Sequence, residues 1–367
     1  MDDDDVRAVL EVLHSDWLTT GPKVDEFEAA LAAAAGTEHA VVVANGTAAL
    51  HAAMFALEIG PGDEVVVPSL TFAATANAVL YQGGAPVFAD VEPGTLLLDP
   101  ASVASRITSR TRAIAAVDYA GQPCDYAALR ELAQSRGLRL VADACHALGA
   151  TLGDRPVGSL ADLSTFSFHP VKPITTAEGG AITTDDEDLA HRLRLFRNHG
   201  ITTDHRQRAA SGSWFYEMVD LGYNYRLSDL HCALGLAQVR RLDEFTQRRQ
   251  AIARLYDQAL VDRPGVEPLT LGPGRSHAYH LYVVQLTGDP PNRGAVFDHL
   301  RSAGIGANVH YIPVHLHPYY RQHLGTGPGL CPVTEEAYER ILSLPIFPTM
   351  EDEEVDRVVA ALDEVLG

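Results

Sequence analysis

Basic side chains are scarce in this 367-residue chain: 28 lysines and arginines stand against 48 aspartates and glutamates, a formal net charge of −20 at pH 7. That deficit argues against a nucleic-acid binder, which needs a basic footprint, and against an electrostatic membrane-surface protein. Long apolar runs are missing as well: no stretch of about 18 apolar residues occurs, so no transmembrane helix is expected. The opening MDDDDVRAVL is acidic where a secretory signal carries basic residues and then an apolar stretch. Four scattered cysteines (Cys124, Cys145, Cys232, Cys331) form no CxxC pair, which argues against a disulfide framework or structural zinc. The expected address is the cytoplasm. The chain also lacks GxxxxGK[ST], HExxH and GxSxG. These absences speak against a P-loop, a zinc protease and a serine-hydrolase elbow. His315-Leu316-His317 has no evident third ligand, so no metal site is expected.

What is present is the composition of a globular protein with a large core, 46% hydrophobic and 21% charged. The length fits two domains. Val6, Leu10, Leu13 and Trp17 fall on one face of a 3.6-residue period and predict a first helix, with Asp2 to Asp5 capping its positive end. A second helix is expected from Val24 to about Ala35, stopped by Gly36. From residue 40 short apolar runs alternate with helical stretches. The runs are AVVVA (40–44), EVVVP (64–68), PVFAD (86–90), RAIAAV (112–117), LRLVAD (138–143), STFSFH (164–169) and GAITT (180–184). Such a series indicates a largely parallel, doubly covered sheet over about residues 40–235. Helical pattern at 227–259 leads to a smaller part. There HAYHLYVVQL (277–286) reads as a strand, 293–303 as a helix, VHYI (309–312) as a further element, and helices close the chain after Thr334 and Met350.

Three segments can carry chemistry. In ANGTAAL (44–50) a strand ends, Asn45-Gly46 turns and Thr47 opens a helix, so backbone N–H groups and the helix dipole offer an anion site; an ordinary β–α turn has the same pattern. Asp143 closes a predicted parallel strand, where α/β sheets place ligands or merely cap the next segment. In FSFHPVKPITTAEGG (166–180), Lys172 lies between Pro170 and Pro173 in an apolar setting. The prolines exclude a helix, and a lysine so held can act as an amine nucleophile or remain a surface charge.

In combination these blocks resemble the DegT/DnrJ/EryC1/StrS family of pyridoxal-phosphate-dependent sugar aminotransferases. The likeness runs through DWLTTGPKVDEFE (16–28), ANGTAAL, PSLTFAATANAVL (68–80), VADACHALGA (141–150), SFHPVKPITTAEGG, LFRNHGI (195–201), GYNYRLSDLHCALGLAQ (222–238) and LSLPIFP (342–348). The resemblance implies fold type I, aspartate-aminotransferase-like: a large domain (1–240) with a mostly parallel mixed sheet between helices, plus a smaller C-terminal α+β domain (241–367). It implies pyridoxal 5′-phosphate, with pyridoxamine 5′-phosphate as the half-reaction form, held covalently by Lys172. That lysine, once free, would move the substrate proton. Asp143 would pair with the pyridine nitrogen, His146 would contact the ring hydroxyl, and Phe72 would stack on the ring. Gly46, Thr47 and Ser167 would bind the phosphate. Asn224 would reach it from a neighbouring subunit, implying a homodimer with shared sites. Arg226, His310, Tyr311, His315 and Tyr320 are expected to touch the nucleotide sugar.

Within the family, HPVKPITT and VHYIPVHLHPYYR (309–321) are similar to the pseudaminic acid branch. The expected reaction therefore moves the amino group of L-glutamate, leaving 2-oxoglutarate, onto UDP-4-keto-6-deoxy-N-acetyl-β-L-altrosamine. The alternatives are a dTDP-linked 4-keto or 3-keto-6-deoxyhexose for a glycosylated natural product, and a non-catalytic ligand sensor on the same scaffold. Dehydratase relatives carry histidine for the lysine, so Lys172 argues against that activity. The chain departs from the family pattern twice. Met1 runs straight into the Asp cluster where relatives first carry a Pro-Tyr pair, and Ala177 stands where many carry glycine, which matters if that residue has positive φ.

Overall fold

A computed structural model describes residues 1–287 and 292–366. The valine-, isoleucine- and alanine-rich runs form seven strands of one sheet: β1 His39–Val43, β2 Glu64–Pro68, β3 Ala85–Ala89, β4 Thr111–Val117, β5 Arg139–Asp143, β6 Leu163–Ser167 and β7 Gly180–Thr184. They lie in the order β1-β7-β6-β5-β4-β2-β3. Every pairing is parallel except those of β7, which runs against both β1 and β6. Alternate residues feed two cores: Val42, Val66 and Ile114 face one, Val41, Val65 and Ala113 the other. A strand buried on both faces has no polar alternation, which is why these runs are continuously apolar.

One face is covered by α3 Gly46–Ala56, α4 Ala74–Tyr81 and α7 Glu187–Arg197. The other carries α2 Pro22–Ala35, α5 Pro100–Arg106, α6 Tyr126–Arg136 and α9 Asp229–Val239. Proline opens α2 and Gly36 closes it at φ +65°, as the sequence requires.

The first helix, α1 Asp3–Leu13, is capped by Asp2 with Asp5 completing a capping box. Its packing differs from a simple amphipathic reading. Asp5 is buried and accepts from Gln238 Nε2 of α9 at 2.9 Å on each oxygen. Val6, Leu10, Leu13 and the following Trp17 and Leu18 are exposed.

The C-terminal part pairs β8 Val266–Pro268, β9 Tyr282–Leu286 and β10 Ile341–Leu344 in an antiparallel sheet. With α10 Leu242–Leu260, α11 Arg293–Ser302 and α14 Asp352–Leu366 it forms a third core, drawn only from Ile252 onward. Short helices α8 His205–Ser211, α12 Pro318–Leu324 and α13 Pro332–Arg340 complete the chain. Three expectations change. The 227–259 pattern breaks between α9 and α10. The strand expected over 277–286 begins only at Tyr282, because residues 278–281 instead dock on Ala120 and Gly121. VHYI forms no strand; only Asn308 bridges, to Ser343.

Candidate active site

Three strand ends share one edge of the sheet, the edge at which open α/β sheets bind ligands. There β1 gives way to the Asn45-Gly46 turn, β5 ends at Asp143 and β6 ends at Ser167. Gly180 of β7 pairs with Val43 on one side and Ser167 on the other, drawing the turn against Ser167. Side chains are excluded here. A Cβ on Gly180 would lie 2.5 Å from the Asn45 carbonyl carbon and oxygen, and one on Gly46 would lie 2.8 Å from Ser167 Cβ.

At the start of α3, Asn45 Oδ1 accepts from Ala48 N at 2.8 Å. The N–H groups of Gly46 and Thr47 have no intrahelical acceptor, as in the first turn of any helix. With the Thr47 and Ser167 hydroxyls they form a neutral cradle suited to phosphate.

Gly46, Thr47, Phe72, Asp143, His146, Ser167 and Lys172 all line one cavity of about 470 Å³, joined by His310 and Tyr311. The Lys172 loop is non-helical, with Lys172 N bonded to the His169 carbonyl at 2.9 Å. Burial pushes the Lys172 amine below its ordinary range, opposed by Cys145 and Asp143. The Asp143 carboxylate is buried and accepts from Thr75 Oγ1 at 2.6 Å and from Cys145 N at 3.3 Å. Phe72, 59% exposed, presents an apolar ring at the same cavity.

Tyr311 Oη lies 3.1 Å from His146 Nε2, while the buried Nδ1 of His146 has no partner. Burial holds His146 far below the ordinary histidine range, with the Lys172 charge adding to the effect. A free imidazole nitrogen, a buried carboxylate, helix N–H groups with no intrahelical acceptor and one amine are the set of groups a phosphorylated pyridine aldehyde needs.

The remaining expected residues lie elsewhere in the chain. His315 is 0% exposed, bonded to Ser69 and to Glu335 Oε1 at 3.0 Å, and Tyr320 is 2% exposed, bonded to Asn77 Oδ1 at 2.5 Å. Both are core residues under α4 and β3, which corrects the expectation that they touch sugar. Arg226 Nη1 bonds Asn198 Oδ1 at 2.8 Å in a separate cleft beside α7. Asn224 is exposed, outside its own chain's cavity, on a segment pinned by Tyr225 Oη to His51 Nδ1 at 3.1 Å. Sequence reading missed His169, Glu178 and His280 on the cavity wall. The HxxH pattern before β9 was the available signal for His280, hidden because the segment reads as a strand.

Comparison with known proteins matches the model of the DegT/DnrJ/EryC1/StrS aminotransferase family to residues 1–363. The chain belongs to that family. It is 42% identical to the spore coat polysaccharide biosynthesis protein SpsC of Bacillus subtilis (strain 168), over 99% of this chain and 94% of that one. PseC of Helicobacter pylori, an aminotransferase involved in pseudaminic acid biosynthesis, superposes with a TM-score of 0.93 at 32% identity, covering 100% of this chain and 97% of that one. Spr1654 of Streptococcus pneumoniae in its PLP form gives a TM-score of 0.93 at 32% identity, covering 100% and 98%. The protein is thus a fold-type-I, pyridoxal-phosphate-dependent aminotransferase. Among the described residues no helix is long and apolar enough to cross a membrane.

Proposed function

We propose that this aminotransferase moves the amino group of L-glutamate to the keto carbon of a nucleotide-linked 4-keto-6-deoxy sugar, with UDP-4-keto-6-deoxy-N-acetyl-β-L-altrosamine the favoured acceptor. The observation that carries the reading is the placing of the Lys172 amine, the Asp143 carboxylate and the phosphate cradle in one cavity. When bound, the cofactor supplies an electron sink for the carbon that loses its proton. Lys172 would hold the cofactor, and its Nζ, once free, would take up and return the proton of the substrate carbon. Asp143, fixed by Thr75, would pair with the pyridine nitrogen. Gly46, Thr47 and Ser167 would hold the phosphate, Phe72 would cover the ring and His146 would meet its hydroxyl.

The choice of acceptor rests on the sequence likeness to the pseudaminic acid branch and on the similarity to PseC. Only His310 and Tyr311 of the 309–321 block face the cavity, so they are the residues of that block able to read the sugar. A homodimer is part of the same reading. Exposed apolar side chains on α1 and on the 214–221 segment, including Trp214 at 84% and Leu221 at 70%, form surface that monomers rarely leave uncovered. In that dimer Asn224 and Arg226 would complete the partner's site, whose own-chain cradle holds no arginine.

The deciding assay supplies L-glutamate and either UDP- or dTDP-linked keto sugars and determines product stereochemistry. Amination of the UDP-linked N-acetyl sugar at C4 supports the favoured acceptor; turnover of dTDP-linked keto sugars alone replaces it. Protein that stays colourless with added cofactor, or a Lys172→Ala variant that still turns over, would overturn the mechanism.

A further inference from the structure

His280 lies at the end of the docked segment before β9, buried against the amine of Lys172, with Nε2 at 3.5 Å from Nζ. Its position is set by backbone contacts. Ala278 N donates to the Gly121 carbonyl at 2.9 Å and Leu281 N to the Ala120 carbonyl at 3.1 Å. Gly121 sits at φ +113°, and a Cβ there would lie 2.9 Å from the His146 carbonyl and 3.2 Å from His280 N. The close approach of three backbone segments thus fixes both histidines, whose rings are 4.4 Å apart.

The other nitrogen of His280, Nδ1, is buried and has no hydrogen-bond partner. A buried N–H without an acceptor is rarer and costlier than a buried lone pair without a donor. Nδ1 therefore carries the lone pair and Nε2 the hydrogen. An imidazolium is no alternative, because burial holds this ring far below the ordinary histidine range. A hydrogen on Nε2 has one use toward Lys172: donation to an amine lone pair, which exists only when the amine is uncharged.

We propose that His280 is a positioning residue for Lys172, its Nε2–H donating to the lone pair of the free amine and aiming that amine into the cavity. This rests on the reading of Lys172 as the cofactor-binding lysine. The role falls in the interval when the amine has been released and must act as base. A carboxylate in the same place would instead favour the ammonium form. The other titratable groups facing the amine are Asp143 at the end of β5, Cys145 and His146 in the turn that follows, and His310 from the segment before α12.

The test uses cofactor-free full-length protein. Competitive acetylation across pH, read by mass spectrometry of the Lys172 peptide, gives the midpoint at which the amine loses its charge. His280→Leu keeps the volume and removes the donor, and it should raise that midpoint by about one pH unit, a roughly tenfold smaller neutral fraction. His280→Gln offers an amide N–H and should stay within about 0.3 unit of the native protein. His280→Met is a second donor-free variant should the leucine protein not fold. A midpoint that is unchanged or lower in the donor-free variant overturns the proposal. A parallel experiment adds pyridoxal phosphate and borohydride and looks for the mass increase on Lys172. Its failure in native protein would sink the lysine assignment while leaving the His280 midpoints readable.

Discussion

Gly180→Ala tests whether the phosphate cradle is set by backbone proximity. The added Cβ would lie 2.5 Å from the Asn45 carbonyl carbon and oxygen and 2.8 Å from Gly46 N, and ordinary contact begins at 3.4 Å. All three are backbone atoms, so no side chain can swing aside. The Asn45–Thr47 turn must retreat by the difference, 3.4 − 2.5 = 0.9 Å. A hydrogen bond of about 2.9 Å stretched by that amount is lost. Two charge-assisted N–H contacts at roughly 1.5–3 kcal/mol each amount to about 3–6 kcal/mol, or 10²- to 10⁴-fold in cofactor affinity. Overpacking should also lower folding stability by about 1–3 kcal/mol. The assay is titration of apoprotein with pyridoxal phosphate and, separately, with pyridoxal, which lacks the phosphate. Native protein should bind the phosphorylated form far better, and the variant should lose most of that preference while binding pyridoxal much as before. Gly60→Ala, with open space around its Cβ, is the control. A variant that keeps the native preference would refute the cradle.

The other predictions concern charge, strain and subunit sharing. Asp118, at the end of β4, is fully buried, and burial pushes its carboxyl up to about 7, with the Asp143 charge adding to it against bonds from Cys124 N and Tyr126 Oη. A raised acid contributes stability that is complete below its unfolded value of 3.8 and is lost as pH rises through 7. Asp118→Asn should therefore stabilise the protein by about 2–3 kcal/mol more at pH 8 than at pH 5, from the interval 7 − 5 times 1.36 kcal/mol; equal urea midpoint shifts at both pH values would contradict this. Ala177 stands exposed at φ +66°, so Ala177→Gly should stabilise by about 0.5–1 kcal/mol in urea unfolding. A loss of stability would show that the left-handed residue is not strained. Mixing inactive Lys172→Ala with inactive Asn224→Ala protein should recover activity in hybrid dimers, and no recovery despite subunit exchange would count against shared sites.

The strands were legible because each is a short, mostly apolar and mostly buried run, and their ends could be counted along the chain. Lys172 stood out for a backbone reason, its two prolines, and Gly46 for the turn before a helix. What failed to show was whatever depends on which way a segment packs. HAYHLYVVQL has strand composition throughout, yet its first half is captured by the positive-φ pair Ala120 and Gly121, which turns His280 toward Lys172. The block from 309 to 321 reads as one aromatic unit. The chain folds it so that His310 and Tyr311 face the cavity while His315 and Tyr320 fill the core behind it. The periodic face of α1 was plain in the sequence, but whether core or a second molecule covers it is not encoded in periodicity. Asp5, inside an apparent solubilising run, is buried by α1 together with Val12.

The net charge of −20 and the binding of a phosphorylated cofactor are compatible for a reason visible in the cavity. The residues lining the cavity include no arginine, while Gly46, Thr47 and Ser167 offer N–H and O–H groups at the positive end of α3. Donors of this kind are fixed dipoles, so their effect is local and nearly independent of charges on the outer surface. A neutral cradle also leaves the anion only partly compensated. The segment bearing Asn224 and Arg226 carries the stacked rings of Tyr223 and Tyr225, 5.0 Å apart, and neither Asn224 nor Arg226 lines the cavity of its own chain. If a second copy supplies these groups, cofactor affinity must depend on protein concentration, falling as the dimer dissociates. Dilution of the holoprotein below its dimer dissociation constant should then release pyridoxal phosphate, and affinity that stays constant through dissociation would show that one chain's donors suffice.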